Sequence, residues 1–156
     1  MIIFVEGADG SGKTTLVKEL SKDYPVLTIT RKAEHDNPTL LREMVDCTKN
    51  SIVICERGVI SEYIYRTLDQ NPCVYSLNDL MYITKRSRVV YCKTDTQFID
   101  ALERGEDIIT DVLTGTRLAT MYDVIIGMLE REGVKVMRYS WKEDHIDEVK
   151  DFIKEV

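Results

Sequence analysis

A glycine-rich segment near the start of the chain has the residue types that bind phosphate. Gly7-Ala8-Asp9-Gly10-Ser11-Gly12-Lys13-Thr14 satisfies the pattern G-x-x-x-x-G-K-[ST], and Thr15 follows it. Glycines let the backbone curl so that successive N–H groups face phosphate oxygens, and the N-terminus of the next helix adds its dipole. The pattern therefore predicts a phosphate-binding loop for a nucleoside triphosphate, with ATP-binding residues Gly10, Ser11, Gly12, Lys13, Thr14 and Thr15.

Four side chains, two in this segment and two after a later apolar run, could carry out phosphoryl-transfer chemistry. Lys13 can bridge the outer phosphates, and the Thr14 hydroxyl can occupy one position around Mg²⁺. Glu56 ends an apolar run, and a carboxylate at the end of a buried strand can hold magnesium beside a phosphate loop. Arg57 follows directly and could clamp a phosphate with its fork of donors. We expect Lys13 and Arg57 to be catalytic, and Thr14 and Glu56 to hold the metal.

Alternating apolar runs and helical stretches predict the elements that position these residues. The rhythm is typical of successive βα units around a parallel sheet, and strands without strict alternation are covered on both faces. We predict an α/β protein with a five-stranded parallel sheet. Its strands are Ile2–Val5, Pro25–Thr30, Ser51–Cys55, Arg88–Cys92 and Val134–Tyr139. Its helices are Lys13–Lys22, Thr39–Thr48, Ser76–Lys85, Thr96–Arg104, Leu118–Arg131 and Ile146–Val156.

Composition limits the classes of protein that fit. The 156 residues favour a single domain, 1–156, and the net charge of −6 argues against broad, sequence-independent attraction to a polyanion. No apolar run approaches the length of a membrane span. The four cysteines are far apart, without CxxC spacing or histidine partners, so neither a zinc site nor a disulfide framework is expected. A reduced, cytoplasmic protein is the expectation.

Two segments resemble thymidylate kinases and the related deoxynucleoside kinases. The string from Phe4 to Thr15 looks like their F-x-E-G-x-D-G-x-G-K-T-T opening. Glu56-Arg57-x-x-x-Ser61-x-x-x-Tyr65 is similar to their D-R-[YF]-x-x-S-x-x-A-Y-Q segment, with Glu as in the E-R-S motif of the deoxynucleoside kinases. The resemblance implies a three-layer P-loop NTPase fold. It also implies that the protein phosphorylates a deoxynucleoside monophosphate with ATP, and that this acceptor resembles thymidylate. A homodimer is implied as well.

The resemblance also implies roles for residues that would bind the acceptor. Asp9 occupies the place of the carboxylate that approaches the deoxyribose hydroxyl or the metal. Arg57 matches the arginine that contacts the acceptor phosphate, and Tyr65 matches the tyrosine that packs near the sugar and disfavours ribose. Thr30-Arg31 is similar to the start of the family's T-R-E-P segment, so Arg31 is a further candidate for contact with a substrate phosphate.

A mobile lid is implied around residues 103–117. The segment from Ala101 to Asp107 resembles the stretch where these enzymes pass from a short helix into an arginine-bearing lid. In the family an arginine comes either from the phosphate loop or from the lid. Gly10 stands in the loop position here, so the lid would supply the charge, from Arg104 first and Arg117 second.

Several positions depart from the family pattern. Lys32-Ala33-Glu34 replaces the Glu-Pro that usually follows Arg31, Gly58 replaces an aromatic residue, and Glu62 and Arg66 replace neutral residues. The chain is also shorter than typical family members, chiefly between the second and third strands, where base-binding elements normally lie. These departures leave the identity of the acceptor open.

A hydroxyl acceptor is the alternative within the kinases. A nucleoside monophosphate presents an ionised oxygen and needs no general base, whereas a hydroxyl acceptor benefits from a carboxylate base. Glu34 and Asp36 follow the second predicted strand, where deoxynucleoside kinases place such a base, and Glu34 is the candidate. The hydroxyl could belong to a deoxynucleoside, to a modified base or to a DNA end, so DNA is expected only as a substrate.

A non-kinase NTP-binding switch is the alternative from another class. GTPase-like specificity would require an N-K-x-D loop after a late strand. Cys92-Lys93-Thr94-Asp95 comes close to this pattern, with Cys in place of Asn. The missing Asn and the Glu56-Arg57 segment favour a kinase.

Overall fold

Five strands and six helices form the part of the chain that the computed structural model describes, which is residues 1–27, 38–48, 50–68, 74–93 and 112–155. The strands are β1 Ile2–Glu6, β2 Val26–Leu27, β3 Val53–Glu56, β4 Arg88–Cys92 and β5 Val136–Tyr139. The helices are α1 Lys13–Leu20, α2 Pro38–Cys47, α3 Val59–Leu68, α4 Leu77–Lys85, α5 Val112–Arg131 and α6 Ile146–Lys154.

The sheet has the order β2-β3-β1-β4-β5, and every pair of neighbours is parallel. The central strand β1 pairs with β3 on one side, where Phe4 lies opposite Cys55, and with β4 on the other, where Phe4 lies opposite Val89. After β1 the chain continues to β2, on the β3 side of the sheet, whereas after β3 it continues to β4, on the other side of β1. The direction in which strands are added therefore reverses beside β1. Ligands bind at the carboxyl ends of the strands beside such a reversal.

Helices cover both faces of the sheet and make three layers. Alternate side chains of β1 point to opposite faces: Ile2 and Phe4 pack with residues of α2–α5, whereas Ile3 and Val5 pack with residues of α1 and α6. All four side chains are fully buried, as expected for a strand covered on both faces. The predicted α/β class, with a five-stranded parallel sheet in three layers, is confirmed.

Helix α3 was not predicted, although its sequence was singled out for chemistry. It begins at Val59, and the preceding residue, Gly58, has no side chain that could cap the free backbone N–H groups of its first turn. Two N–H groups of that turn instead donate to the carboxylate of Glu6, which belongs to β1. A cap supplied by a distant element leaves no local signal in the sequence.

Several boundaries differ from the predictions. Helix α5 begins at Val112 rather than Leu118, and β3 extends one residue further, to Glu56. The predicted stop of α5 is confirmed, because Gly133 has φ of 83° and its N–H donates to the carbonyl of Glu130 at 3.0 Å. The predicted helix Thr96–Arg104 lies outside the described residues. Within the described part, no helix is both long and apolar enough to cross a membrane.

An arginine of β4 forms hydrogen bonds with the last helix. The guanidinium of Arg88 is mostly buried and donates to the carbonyls of Phe152 and Glu155, near the C-terminus of α6. Carbonyl groups in the last turn of a helix have no partner within the helix, and a cation there is favoured by the helix dipole. Arg88 therefore holds α6 against the face of the sheet that α1 also covers.

Candidate active site

The glycine-rich segment joins β1 to α1 at the carboxyl edge of the sheet. Its last glycine, Gly12, has φ of 83°, a conformation that other residues rarely adopt, and precedes the first residue of α1. The N–H of Ser11 donates to the carbonyl of Ala8 at 3.3 Å and closes a tight turn. The strand–loop–helix context that the sequence pattern requires is present, and the N-terminus of α1 faces the loop.

Lys13 is buried beneath this loop, with only 4% of its surface exposed. Its Nζ donates to the carbonyl of Ala8 at 2.5 Å and contacts Oγ of Ser11 at 3.4 Å. Burial lowers the pKa of Lys13 to about 8, Arg57 acts in the same direction, and Asp9 opposes the shift. The ammonium group therefore lies where an anion that enters the loop could take over its hydrogen bonds.

Thr14 and Glu56 meet at the mouth of the loop. The Thr14 hydroxyl donates to Oε1 of Glu56 at 2.7 Å, which joins the first turn of α1 to the end of β3. Mg²⁺ is usually bound through one or two carboxylates together with substrate phosphates and water, so a hydroxyl and one carboxylate fit this ion. No group of three or more His, Cys, Asp or Glu side chains suited to a metal occurs in the described ranges. The site thus fits a metal that is bound partly by its substrate.

Arg57 lies between the phosphate loop and α3. Its guanidinium forms an ion pair with Asp9 of the loop and lies 5.4 Å from the ring centre of Tyr65. Among the described residues, Arg57 is the one non-glycine residue with a left-handed backbone, at φ of 61°. Such a conformation is uncommon and persists where the surroundings enforce it. The contacts of the Arg57 guanidinium with Asp9 and Tyr65 thus bring the three predicted acceptor residues together.

A cavity of about 580 Å³ opens beside the loop and α1. Gly12 and Lys13 are among the residues on one side, and Tyr139, Trp141 and Ile146 line the side formed by the end of β5 and the start of α6. Trp141 is half exposed and contacts Gly12 so closely that a Cβ on Gly12 would lie 3.1 Å from its Cδ1. No sequence motif includes Trp141, so a structural role is its default interpretation. Its place after the last strand, at the edge where ligands bind, was the available signal.

Glu6 is a buried carboxylate directly behind the loop. It is fully buried and accepts hydrogen bonds from the N–H groups of Ile60 and Ser61, each at 3.2 Å, and from the Ser61 hydroxyl. Burial raises the pKa of Glu6 to about 7, although these hydrogen bonds and the charge of Lys13 act to lower it. Glu6 belongs to the motif that resembles the kinases, but no role follows for it from the sequence pattern.

The raised pKa of Glu6 predicts a pH-dependent difference in stability between the wild type and Glu6→Gln. The folded protein holds this proton up to about pH 7 and the unfolded chain only to about 4.5, so Glu6 contributes less stability as the pH rises through that window. The free energy of unfolding of Glu6→Gln minus that of the wild type should therefore increase from pH 4.5 to 8, by up to about 3 kcal/mol. Urea denaturation at a series of pH values measures this difference.

Glu19→Gln is the control for this measurement. A hydrogen bond from Lys22 lowers the pKa of the exposed Glu19, so its titration falls below the same pH window. Its difference from the wild type should be flat between pH 4.5 and 8. A flat difference for Glu6→Gln as well would contradict the buried, proton-binding state of Glu6.

Several predicted residues are not among those brought together. Arg31, Glu34 and Arg104 lie outside the described residues, as does most of the implied lid, and Arg117 lies exposed on α5. Two cysteines, Cys55 and Cys92, are free and buried. Burial raises the pKa of Cys92 to about 12 and also raises that of Cys55, so both thiols stay protonated near neutral pH.

Comparison with solved structures identifies the fold. The YorR protein from Bacillus subtilis, in complex with phosphorylated GDP, superposes with a TM-score of 0.75 at 21% identity, over 98% of this chain and 94% of that chain. Deoxyadenosine kinase from M. mycoides, with bound dATP, gives 0.61 at 15% identity, over 97% and 98%. Thymidylate kinase from Candida albicans gives 0.58 at 14% identity, over 96% and 87%.

The chain has the fold of the P-loop kinases. The two short motifs resemble kinases in sequence, and the similarity in structure covers nearly the whole length of the chain. Sequence comparison finds no match, either to a protein-family model or to a curated protein. At identities of 14–21% the superpositions show the architecture, and the site residues have to support the function.

Proposed function

We propose that this protein transfers the γ-phosphoryl group of ATP to a nucleoside monophosphate, with a thymidylate-like deoxynucleotide as the first candidate. The observation that carries the proposal is the position of Arg57. Its side chain is paired with Asp9 of the phosphate loop, and Arg57 and Lys13 both line the cavity beside that loop. Two cations from different elements thus meet where a donor and an acceptor phosphate would approach each other, and phosphoryl transfer depends mainly on such positioning and charge stabilisation.

The donor half of the site would be the loop and the cavity beside it. Backbone N–H groups of the loop and Lys13 would bind the phosphates, while Thr14 and Glu56 would hold magnesium, which supplies charge neutralisation of the phosphates when bound. The cavity next to the loop, lined by Trp141, has room for the nucleoside. An aromatic ring at this place could stack on a base.

The acceptor half would lie on the side of Asp9 and Tyr65. An arginine with its donors held in a fixed plane suits a bidentate contact with the acceptor phosphate. Tyr65 is buried under that arginine and would limit the space around the sugar, which favours a deoxynucleotide. The YorR structure with phosphorylated GDP and the deoxyadenosine kinase structure with dATP support a nucleotide ligand for this fold.

A hydroxyl acceptor is the second candidate, and the Asp9–Arg57 ion pair favours it. The negative charge of Asp9 partly neutralises Arg57, which leaves less positive charge for a doubly charged phosphate. A nucleoside that offers only a hydroxyl group does not need that charge. It needs a base instead, for which Glu34 is the candidate.

The deciding experiment is a coupled assay of ATP consumption with deoxynucleosides, deoxynucleoside monophosphates and hydroxyl-bearing DNA as acceptors. We expect the highest kcat/KM with a deoxynucleoside monophosphate, and product formation should be confirmed by mass spectrometry. Preparations of Lys13→Ala control for contaminating kinases. A preference for hydroxyl acceptors would establish the second candidate, and a preference for GTP without any acceptor would establish the switch.

Trp141 should influence the affinity for ATP much more than the affinity for the acceptor. Stacking of a base on an aromatic ring contributes about 1–3 kcal/mol, so Trp141→Ala should raise the KM for ATP about tenfold. Trp141→Phe retains a ring and should recover most of the affinity. Because this is the single tryptophan of the chain, its fluorescence should also report nucleotide binding in the wild type. An unchanged KM for ATP in Trp141→Ala would place the base elsewhere.

A further inference from the structure

The carboxylate of Glu6 caps a helix to which it does not belong. It ends β1, yet both of its oxygens accept N–H groups from the first turn of α3, those of Ile60 and Ser61. The residue before α3 is Gly58, which has no side chain for this purpose. A Cβ on Gly58 would lie 2.3 Å from Cδ1 of Phe4, so the close packing of β1 against this turn excludes any side chain there. Phe4 thus requires a glycine, and Glu6 supplies the missing cap.

The turn that Glu6 stabilises contains Arg57. The N–H of Arg57 donates to the carbonyl of Val5 at 2.9 Å, and the carboxylate of the next residue in β1 binds the start of α3. Consecutive residues of β1 therefore hold the backbone on both sides of the Arg57–Gly58 link. This explains how Arg57 keeps its left-handed conformation, which carries an intrinsic cost of about 1 kcal/mol or more.

Helix α5 adds a third contact to this arrangement. The hydroxyls of Ser61 and Tyr122 lie 2.8 Å apart and share a hydrogen bond, and the Ser61 hydroxyl is also bonded to Glu6. Tyr122 is fully buried, and its ring stacks on Tyr91 with 5.9 Å between the ring centres. A continuous buried chain of hydrogen bonds thus joins β1, α3 and α5 directly behind the phosphate loop.

We propose that Glu6, Ser61 and Tyr122 are positioning residues that fix the guanidinium of Arg57 relative to the phosphate loop. The inference rests on the proposed function, because the acceptor phosphate is what Arg57 would bind. None of the three residues needs to touch a substrate. They act through the backbone of the turn at 57–61, and a small displacement there would move Arg57 away from the acceptor.

Tyr122→Phe and Ser61→Ala each remove one hydroxyl group from the buried chain of hydrogen bonds. We expect either variant to lower kcat about 10- to 100-fold, the scale of a misplaced catalytic group, at a temperature where it is fully folded. The affinity for ATP, measured by Trp141 fluorescence, should change less than twofold. Tyr91→Phe is the matched control, because it also removes a buried tyrosine hydroxyl. That hydroxyl is bonded to Asp123 at 2.8 Å and does not belong to the Glu6–Ser61–Tyr122 hydrogen bonds. It should lower the melting temperature without changing kcat.

A double variant separates positioning from a general loss of packing. If the chain acts through Arg57, then adding Tyr122→Phe to Arg57→Ala should cause no further loss of kcat/KM for the acceptor. A full additional loss in the double variant would overturn the proposal. So would equal kcat values for Tyr122→Phe, Ser61→Ala and the wild type.

Hydrogen exchange tests the same proposal without any substrate. The amide of Arg57 should exchange about tenfold faster in Ser61→Ala and Tyr122→Phe than in the wild type, and at the wild-type rate in Tyr91→Phe. If the protein phosphorylated no acceptor, the proposed function would fail while this measurement still decided the positioning role. An unchanged exchange rate in Ser61→Ala and Tyr122→Phe would overturn that role even in an active kinase.

Discussion

Lys13→Ala should reduce kcat about 10²- to 10³-fold, which is the typical cost of removing one preorganised charge-stabilising donor. The reason is geometric as well as electrostatic. Lys13 is almost fully buried beneath the loop, and its hydrogen bonds go to the loop itself, to the carbonyl of Ala8 and the hydroxyl of Ser11. Both partners are uncharged, so a charged phosphate can replace them as the stronger partner of the ammonium group. Among the residues that the structure describes, Lys13 is the one lysine that lines the cavity beside the loop.

Two further variants make this result specific. Lys13→Met keeps most of the apolar stem and guards against a loss of activity that comes only from a packing defect. Lys18→Ala removes an exposed lysine of the same helix and should leave kcat unchanged. Full turnover by Lys13→Ala and Lys13→Met would mean that the loop does not carry the reaction, whatever the fold.

Local patterns explain which parts of this site could be predicted. The phosphate loop depends on residue types that follow one another directly, so the spacing alone predicts the strand–loop–helix in which the structure places Gly12, Lys13 and Thr14. The position of Glu56 beside the loop, where it accepts a hydrogen bond from Thr14, agrees with the rule that strands of a parallel sheet end at one edge. The sheet was predictable for the same reason, because β-branched runs between helical stretches have one common solution.

The parts that were missed depend on contacts between distant elements. Helix α3 has its cap in β1, and the partners Glu6, Ser61 and Tyr122 come from three elements that no short pattern joins. Trp141 has no motif around it, and only the position of β5 beside the phosphate loop gives it a place in the cavity. Gly58, read from the sequence as a departure from the family, is explained by the proximity of Phe4.

Arg57→Ala should reduce kcat/KM for the acceptor about 10²- to 10³-fold, with little change in the affinity for ATP. The guanidinium lies on the α3 side of the loop, between Asp9 and the ring of Tyr65, and its backbone is held in an uncommon conformation. A group restrained in this way has already lost the entropy that a flexible side chain would lose on binding. Its removal should therefore weaken the transition state for transfer more than it weakens the binding of the donor.

Arg57→Lys tests whether charge alone is sufficient. A lysine keeps the positive charge but loses the planar fork that holds Asp9 and could bind two oxygens of one phosphate, so we expect it to recover less than a tenth of the wild-type kcat/KM. Arg131→Ala is the control, because this exposed arginine ends α5 where the chain turns toward the start of β5, at the opposite edge of the sheet. Full activity of Arg57→Lys would reduce the role of Arg57 to a point charge. A loss confined to the KM for ATP would move Arg57 to the donor half of the site.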